Sequence, residues 1–321
     1  MKPPQDASPD ALFREAQRCR QAAQWQQAEG LYRRVLELAP DHVAALEELA
    51  SLFAQFGYYQ PAADLLARVV ELQPGSVSAT AGLSRVRAEL ALSLDPDYAV
   101  TPEARWASDD CVLDETNASS TVFVIFAGLG VGRSPPTFIF RKFLAAYQQI
   151  NKLFVRDLSL SWYLRGIPGI GDGVDATAAG LKDRLRTFER TVFMGCSAGA
   201  TAAILYGALL GVDKVIAFAP QALLSARKPN ELGDARWEQR LAALRQEPVE
   251  SRYLDVVNLA PFQTPIDIYY HQSEVQDSAH ARMFQGQSVT LFPQPGTGHL
   301  IALQMRDQGL LRPIIERELL G

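Results

Sequence analysis

Over residues 8–94 the apolar positions fall at helical spacing, with Pro40 and Pro74 as stops, and predict successive helices ending in one over 77–94. From 95 to 120 that pattern dissolves into Asp95-Pro96-Asp97, Thr101-Pro102, Asp109-Asp110 and Asn117-Ala118-Ser119-Ser120. Breakers and small polar residues predict a connection, within which Trp106, Val112 and Leu113 form a short strand or dock locally. Short apolar runs then predict strands at 121–126, 153–155, 191–194, 214–218, 266–270 and 288–292. They alternate with predicted helices at 137–149, 175–188, 198–210 and 305–320. Strands that are apolar along their length, separated by helices, imply a mainly parallel sheet buried on both faces, an α/β architecture.

The helical region repeats itself with a period of 34. Glu37-Leu38-Ala39-Pro40 recurs as Glu71-Leu72-Gln73-Pro74, and Ala16 pairs with Ala50, Ala28 with Ala62 and Val35 with Val69. Small residues at the paired sites let helices approach closely, and each proline stops the second helix of a pair. This frame, with Tyr32 inside it, resembles the tetratricopeptide repeat over residues 8–76, capped by the following helix. The resemblance implies a surface for protein interaction or oligomerisation. Two repeats and a cap are few for units stabilised by burying faces on their neighbours, so support from the next domain, another copy or a partner is expected. Trp25, Phe53, Phe56, Tyr58 and Tyr59 stand at helical spacing and read as interior packing.

Composition narrows the function classes. Hydrophobic residues make up 48% and charged residues 21%, enough for a packed core and unlike a disordered or fibrous chain. With 31 basic and 36 acidic side chains the net charge is −5, which provides no footprint for a phosphate backbone, and no nucleic-acid partner is expected. Cys19, Cys111 and Cys196 are scattered, with no Cys-x-x-Cys, and read as reduced thiols. Met-Lys-Pro-Pro-Gln-Asp lacks a signal-peptide core and no apolar run reaches membrane-spanning length. The expectation is a cytoplasmic protein without a membrane span.

The sharpest chemical signal is Gly195-Cys196-Ser197-Ala198-Gly199, a G-x-S-x-G between a predicted strand and a predicted helix. A sharp strand-to-helix turn needs glycines where a Cβ would clash, and it lifts a serine hydroxyl above the sheet edge. A serine nucleophile needs a base, and there are four histidines. His42 lies among the repeats, His271 ends a predicted strand and His280 reads as a helix-surface residue. His299, in Pro295-Gly296-Thr297-Gly298-His299 after the last strand, is left as the base. Cys196 reads as a small packing residue.

These motifs resemble the nucleophile elbow and terminal histidine loop of the α/β-hydrolase superfamily, over residues 119–321. The resemblance implies a Ser197–His299–acid triad, with the acid just past the penultimate strand. Strand-end spacing there favours Glu274; Asp277 is the commoner residue type, but Asp277-Ser278-Ala279-His280 also reads as a helix N-cap, and both stay open. It also implies an oxyanion hole of backbone amides, one from Ala198 and one from Leu129 or Gly130. Ala127-Gly128-Leu129-Gly130 is similar to the family's His-Gly-x-Gly loop, with Ala127 in place of the histidine. Residues 225–263 correspond to the family's lid, and 95–118 form the linker.

Two further segments stand near that edge. Arg156-Asp157 with Trp162-Tyr163-Leu164-Arg165-Gly166 either bind substrate or pack their loop, and Gly169-Ile170-Gly171-Asp172-Gly173 reads as a flexible loop. The implied function is a serine hydrolase acting on a small-molecule or glycan acyl ester or a thioester, with no metal or organic cofactor. The alternatives are a glycan O-acyltransferase or deacetylase of a polysaccharide pathway, and a catalytically silent scaffold.

Overall fold

The computed structural model describes residues 8–21, 25–55, 59–93, 111–129, 138–284, 286 and 288–319. Phe56, Tyr58, Trp106, Gly130, most of the connection over 95–120 and the ends of the helices predicted over 77–94, 137–149 and 305–320 lie outside that set, as does the side chain of Trp25. The chain divides into two compact units, one of helices and one built on a sheet.

The first unit holds α1 (Pro9–Gln21), α2 (Trp25–Leu38), α3 (Val43–Gln55), α4 (Tyr59–Leu72) and α5 (Val77–Ser93). Each helix packs on the next in sequence. Ala16, Ala28, Ala50 and Ala62 are wholly buried, which permits close helix approach, and Tyr32, Val35 and Val69 fill the space between. The 34-residue period recurs in the hydrogen bonds. Ala39 N–H donates to the Val35 carbonyl and Gln73 N–H to the Val69 carbonyl, both at 2.8 Å, just before the two prolines. Phe53 is buried, with the Arg33 guanidinium 5.2 Å from its ring centre.

The second unit is a seven-stranded sheet of order β1-β3-β2-β6-β7-β8-β9. Its strands are β1 (Val112–Glu115), β2 (Thr121–Phe126), β3 (Asn151–Val155), β6 (Arg190–Cys196), β7 (Lys214–Phe218), β8 (Ile266–His271) and β9 (Val289–Gln294). Only the edge strand β1 runs antiparallel, against β3; all other pairings are parallel. The strands β2, β3, β6 and β7 are buried almost throughout, in keeping with the apolar runs within them.

Several expectations are corrected. The helix expected over 137–149 contracts to α6 (Arg141–Leu144), because buried Phe140 takes φ 65° and turns the chain at its start. The glycine-rich segment is a two-stranded hairpin, β4 (Gly166–Ile167) with β5 (Gly171–Asp172), leading into α7 (Gly173–Leu185). Thr177 ties that hairpin, its hydroxyl donating to the Gly171 carbonyl at 2.8 Å and accepting from Ile167 N–H at 3.2 Å. After α8 (Ala198–Leu210) and β7, the long connection to β8 carries α9 (Arg227–Leu232), α10 (Glu238–Leu244) and two short 3-10 turns. Past α11 (Val275–Met283), the single final helix is two, α12 (Ile301–Asp307) and α13 (Leu311–Leu319), parted at Gly309 with φ 74°.

Candidate active site

Ser197 stands between β6 and α8 with φ 53° and ψ −121°, a backbone conformation sparsely populated by non-glycine residues. Its N–H donates to the Phe218 carbonyl at 2.8 Å, fixing the bend to the neighbouring strand. The flanking glycines are steric necessities. A Cβ on Gly195 would lie 2.3 Å from the Gly199 carbonyl oxygen, and one on Gly199 only 2.1 Å from that of Phe126. Cys196 is buried in the core, and burial pushes its thiol well above the ordinary range, so it offers no thiolate.

His299, on the loop between β9 and α12, places Nε2 2.7 Å from Ser197 Oγ across 102 positions of sequence. Its Nδ1 lies 2.8 Å from Asp277 Oδ2. A carboxylate only accepts, so Nδ1 carries the proton and Nε2 faces the serine hydroxyl as acceptor. Asp277, and not Glu274, is the carboxylate on the imidazole. Strand-end spacing favours Glu274, but α11 begins one residue after it and carries Asp277 in its first turn, beside the ring. Glu274 instead accepts from the Gly298 N–H at 2.6 Å. Burial alone would raise the Asp277 carboxyl, but His299 and Arg236 outweigh it and hold it down at about 2.

The loop that presents His299 is held at three successive carbonyls. His271 donates from Nδ1 to the Gly298 carbonyl at 2.7 Å, Gln304 donates from Nε2 to the Thr297 carbonyl at 2.7 Å, and the Ser273 hydroxyl donates to the Gly296 carbonyl. The sequence reading gave His271 only as the end of a strand and did not single out Gln304 or Ser273, because each acts on backbone and carries no motif of its own. His280 is a correction. It is wholly buried rather than on a helix surface, accepting at Nδ1 from Ala222 N–H at 3.0 Å and facing Asp234 Oδ2 with Nε2 at 3.0 Å.

Opposite the elbow, the turn after β2 brings Gly128 alongside it. A Cβ there would sit 3.3 Å from the Cys196 carbonyl oxygen and 3.8 Å from Ser197 Cβ. Leu129 is buried in that turn, and Ala198 opens α8, where first-turn N–H groups have no intrahelical acceptor. Trp162 and Tyr163, open as substrate contacts in the sequence, are fully buried and pack their loop. That loop folds around Asp157, which accepts from the N–H groups of Ser159, Ser161 and Tyr163 at 3.0, 2.6 and 2.9 Å. The Tyr163 hydroxyl then reaches the Ala127 carbonyl at 2.8 Å and the Val155 carbonyl at 3.1 Å, bracing the glycine turn. Tyr163→Phe is therefore expected to lower stability by about 1–3 kcal/mol, the cost of leaving the buried Ala127 carbonyl short of a donor, while the Val155 carbonyl keeps the Ala127 N–H. Urea unfolding of the two proteins reads that difference, and equal midpoints would dismiss the brace.

Among the described residues, no group of three or more His, Cys, Asp or Glu side chains is placed to hold a metal ion, and no helix is long and apolar enough to cross a membrane.

No protein-family model matches the chain, and no curated protein matches it. Among solved structures, the chain is similar to the capsule O-acetyltransferase of Neisseria meningitidis serogroup A, at 13% identity and a TM-score of 0.49, over 64% of this chain and 90% of that one. It is similar to Est1E from Butyrivibrio proteoclasticus at 12% identity and a TM-score of 0.42, over 63% and 89%. The Sgt2 TPR domain from Aspergillus fumigatus matches 28% of this chain and 61% of its own length, at 23% identity and a TM-score of 0.25. With one antiparallel edge strand, six parallel strands and a strained serine between the fourth strand of the sheet and its helix, the sheet-bearing unit has the α/β-hydrolase fold, preceded in the chain by helices whose sequence repeats with a period of 34 residues.

Proposed function

We propose that the protein is a serine acyl-transfer enzyme of the hydrolase type, acting on an ester or thioester. The observation that carries this reading is the unbroken line from Ser197 Oγ through His299 to Asp277, at 2.7 and 2.8 Å. In it, Ser197 Oγ attacks the acyl carbonyl while His299 Nε2 takes the hydroxyl proton. Asp277 fixes the tautomer that leaves Nε2 free to accept, and stabilises the imidazolium as it forms, without itself taking the proton. The N–H groups of Ala198 and Leu129 serve as donors to the tetrahedral oxyanion; each such donor typically contributes about 3–4 kcal/mol to the transition state.

Collapse of the tetrahedral intermediate breaks the bond to the leaving alcohol or thiol, which departs with the proton held by His299. Water, deprotonated by His299, then attacks the acyl-serine and restores the free hydroxyl. The helical repeats serve protein interaction or self-association in this reading.

Labelling with a fluorophosphonate probe, together with turnover of p-nitrophenyl acetate, tests the proposal. The wild-type protein labels at Ser197 and turns the ester over, and Ser197→Ala loses both. A folded wild-type protein that does neither would leave a scaffold in place of an enzyme.

A further inference from the structure

Asp277 has two oxygens, and His299 uses only one. The other, Oδ1, accepts from Arg236 Nη1 at 2.8 Å. Arg236 belongs to the long connection between β7 and β8, 41 positions upstream of Asp277 and outside both the elbow and the histidine loop. Its other two nitrogens face a second carboxylate. Nε lies 3.0 and 3.1 Å from the two oxygens of Asp234, and Nη2 lies 2.9 Å from Oδ2 of the same carboxylate. Asp234 is anchored in turn. Nε2–H of His280 donates to it, and the Lys228 ammonium lies 3.4 Å from Oδ1, all three side chains being wholly buried. Lys228 also donates to the Asp234 carbonyl at 3.0 Å and to that of Arg236.

The chain of contacts from Ser197 thus runs through His299, Asp277, Arg236 and Asp234 to His280, which ends on the Ala222 backbone. Burial disfavours the charged forms of Asp234 and Lys228. For Asp234, its contacts with His280, Arg236 and Lys228 outweigh that cost and hold the carboxyl well below the ordinary carboxylate range. A buried ionic network is costly to assemble, and a single hydrogen bond to Asp277 Oδ1 could come from one backbone N–H. What a backbone N–H lacks is a full positive charge and a fork that spans two carboxylates.

We propose that Arg236 is a positioning residue for the reaction, fixing the rotamer of Asp277 and partly neutralising its charge, and so setting how acid the medium becomes before the base fails. This rests on the triad reading given above. The carboxylate facing His299 carries a guanidinium on its far side, so its pull on the imidazolium is weaker than that of a lone aspartate. Of the charged and titratable side chains described on the histidine loop's neighbours, Glu274 and His271 both engage the backbone of Gly298.

The rate of Ser197 labelling by a fluorophosphonate, followed across pH in the full chain, tests this. In Arg236→Gln the acid limb moves up by about one pH unit, since the uncompensated carboxylate now favours the protonated base. In Arg236→Lys the charge remains but the fork is lost, so the limb stays in place while the plateau rate falls at least about fivefold.

An acid limb unmoved in folded Arg236→Gln, or displaced equally in Arg236→Lys, overturns the charge effect. A wild-type plateau in Arg236→Lys overturns the positioning role, and this arm decides the matter where the glutamine variant fails to fold. Absence of labelling in the wild type at every pH would instead overturn the triad reading itself.

Discussion

Asp277→Asn lowers the rate of Ser197 labelling by about 10⁴-fold, the loss characteristic of a triad acid replaced by its amide. The reason is the tautomer. Asp277 Oδ2 lies 2.8 Å from His299 Nδ1, and Oδ1 is occupied by Arg236 at 2.8 Å. In the variant the guanidinium keeps the amide oxygen, so the amide N–H groups turn toward Nδ1. Nδ1 then accepts, the ring proton moves to Nε2, and Nε2 can no longer take the serine proton.

Glu274→Gln is the internal comparison. Its side-chain oxygen still accepts the Gly298 N–H, now 2.6 Å away, so labelling stays within about threefold of wild type. A larger loss at Glu274 than at Asp277 would return the acid to Glu274.

Gly199→Ala destabilises the sheet-bearing unit by about 3 kcal/mol or more, at the upper end of what overpacking costs. The added methyl would stand 2.1 Å from the Phe126 carbonyl oxygen, 2.6 Å from that of Ala127 and 2.7 Å from the Ala127 carbonyl carbon. All three atoms are backbone, and no rotamer change relieves them. α8 must move off β2 by roughly an ångström, which also parts the elbow from the turn that holds Leu129.

Gly30→Ala provides the contrast. It lies inside α2 with nothing within 4 Å of the added carbon, and alanine there gains up to about 1 kcal/mol from helix propensity. Urea unfolding of the two variants should move in opposite directions. A Gly199→Ala midpoint equal to wild type would mean that the close approach at the elbow is not needed.

Where the elements sit was largely legible. β2, β7 and α8 occupy the spans read from apolar runs and the elbow, and the repeat period reappears in matched turn hydrogen bonds. Misreadings came where a local pattern met a tertiary demand. Phe140 is buried and sits at φ 65°, and the apolar pattern carries no mark of that bend. His280 looked like a surface residue because its partners lie 46 and 58 positions away, in a segment with no motif. The rank order of Glu274 and Asp277 depended on where α11 begins, and helix starts are poorly fixed by sequence when no capping side chain marks them.

Taken alone, the amino-acid order determined the pieces: a 34-residue repeat, apolar strands for a parallel sheet, and a glycine-flanked serine with a histidine preceded by glycines far downstream. Those are local matters of period, side-chain volume and backbone freedom, each expressed within a few neighbouring residues. Only the folded chain decided which carboxylate meets the imidazole, and that a distant arginine occupies its other oxygen. Both are long-range choices, made by how helices seat on a sheet and by which buried charges can be satisfied together.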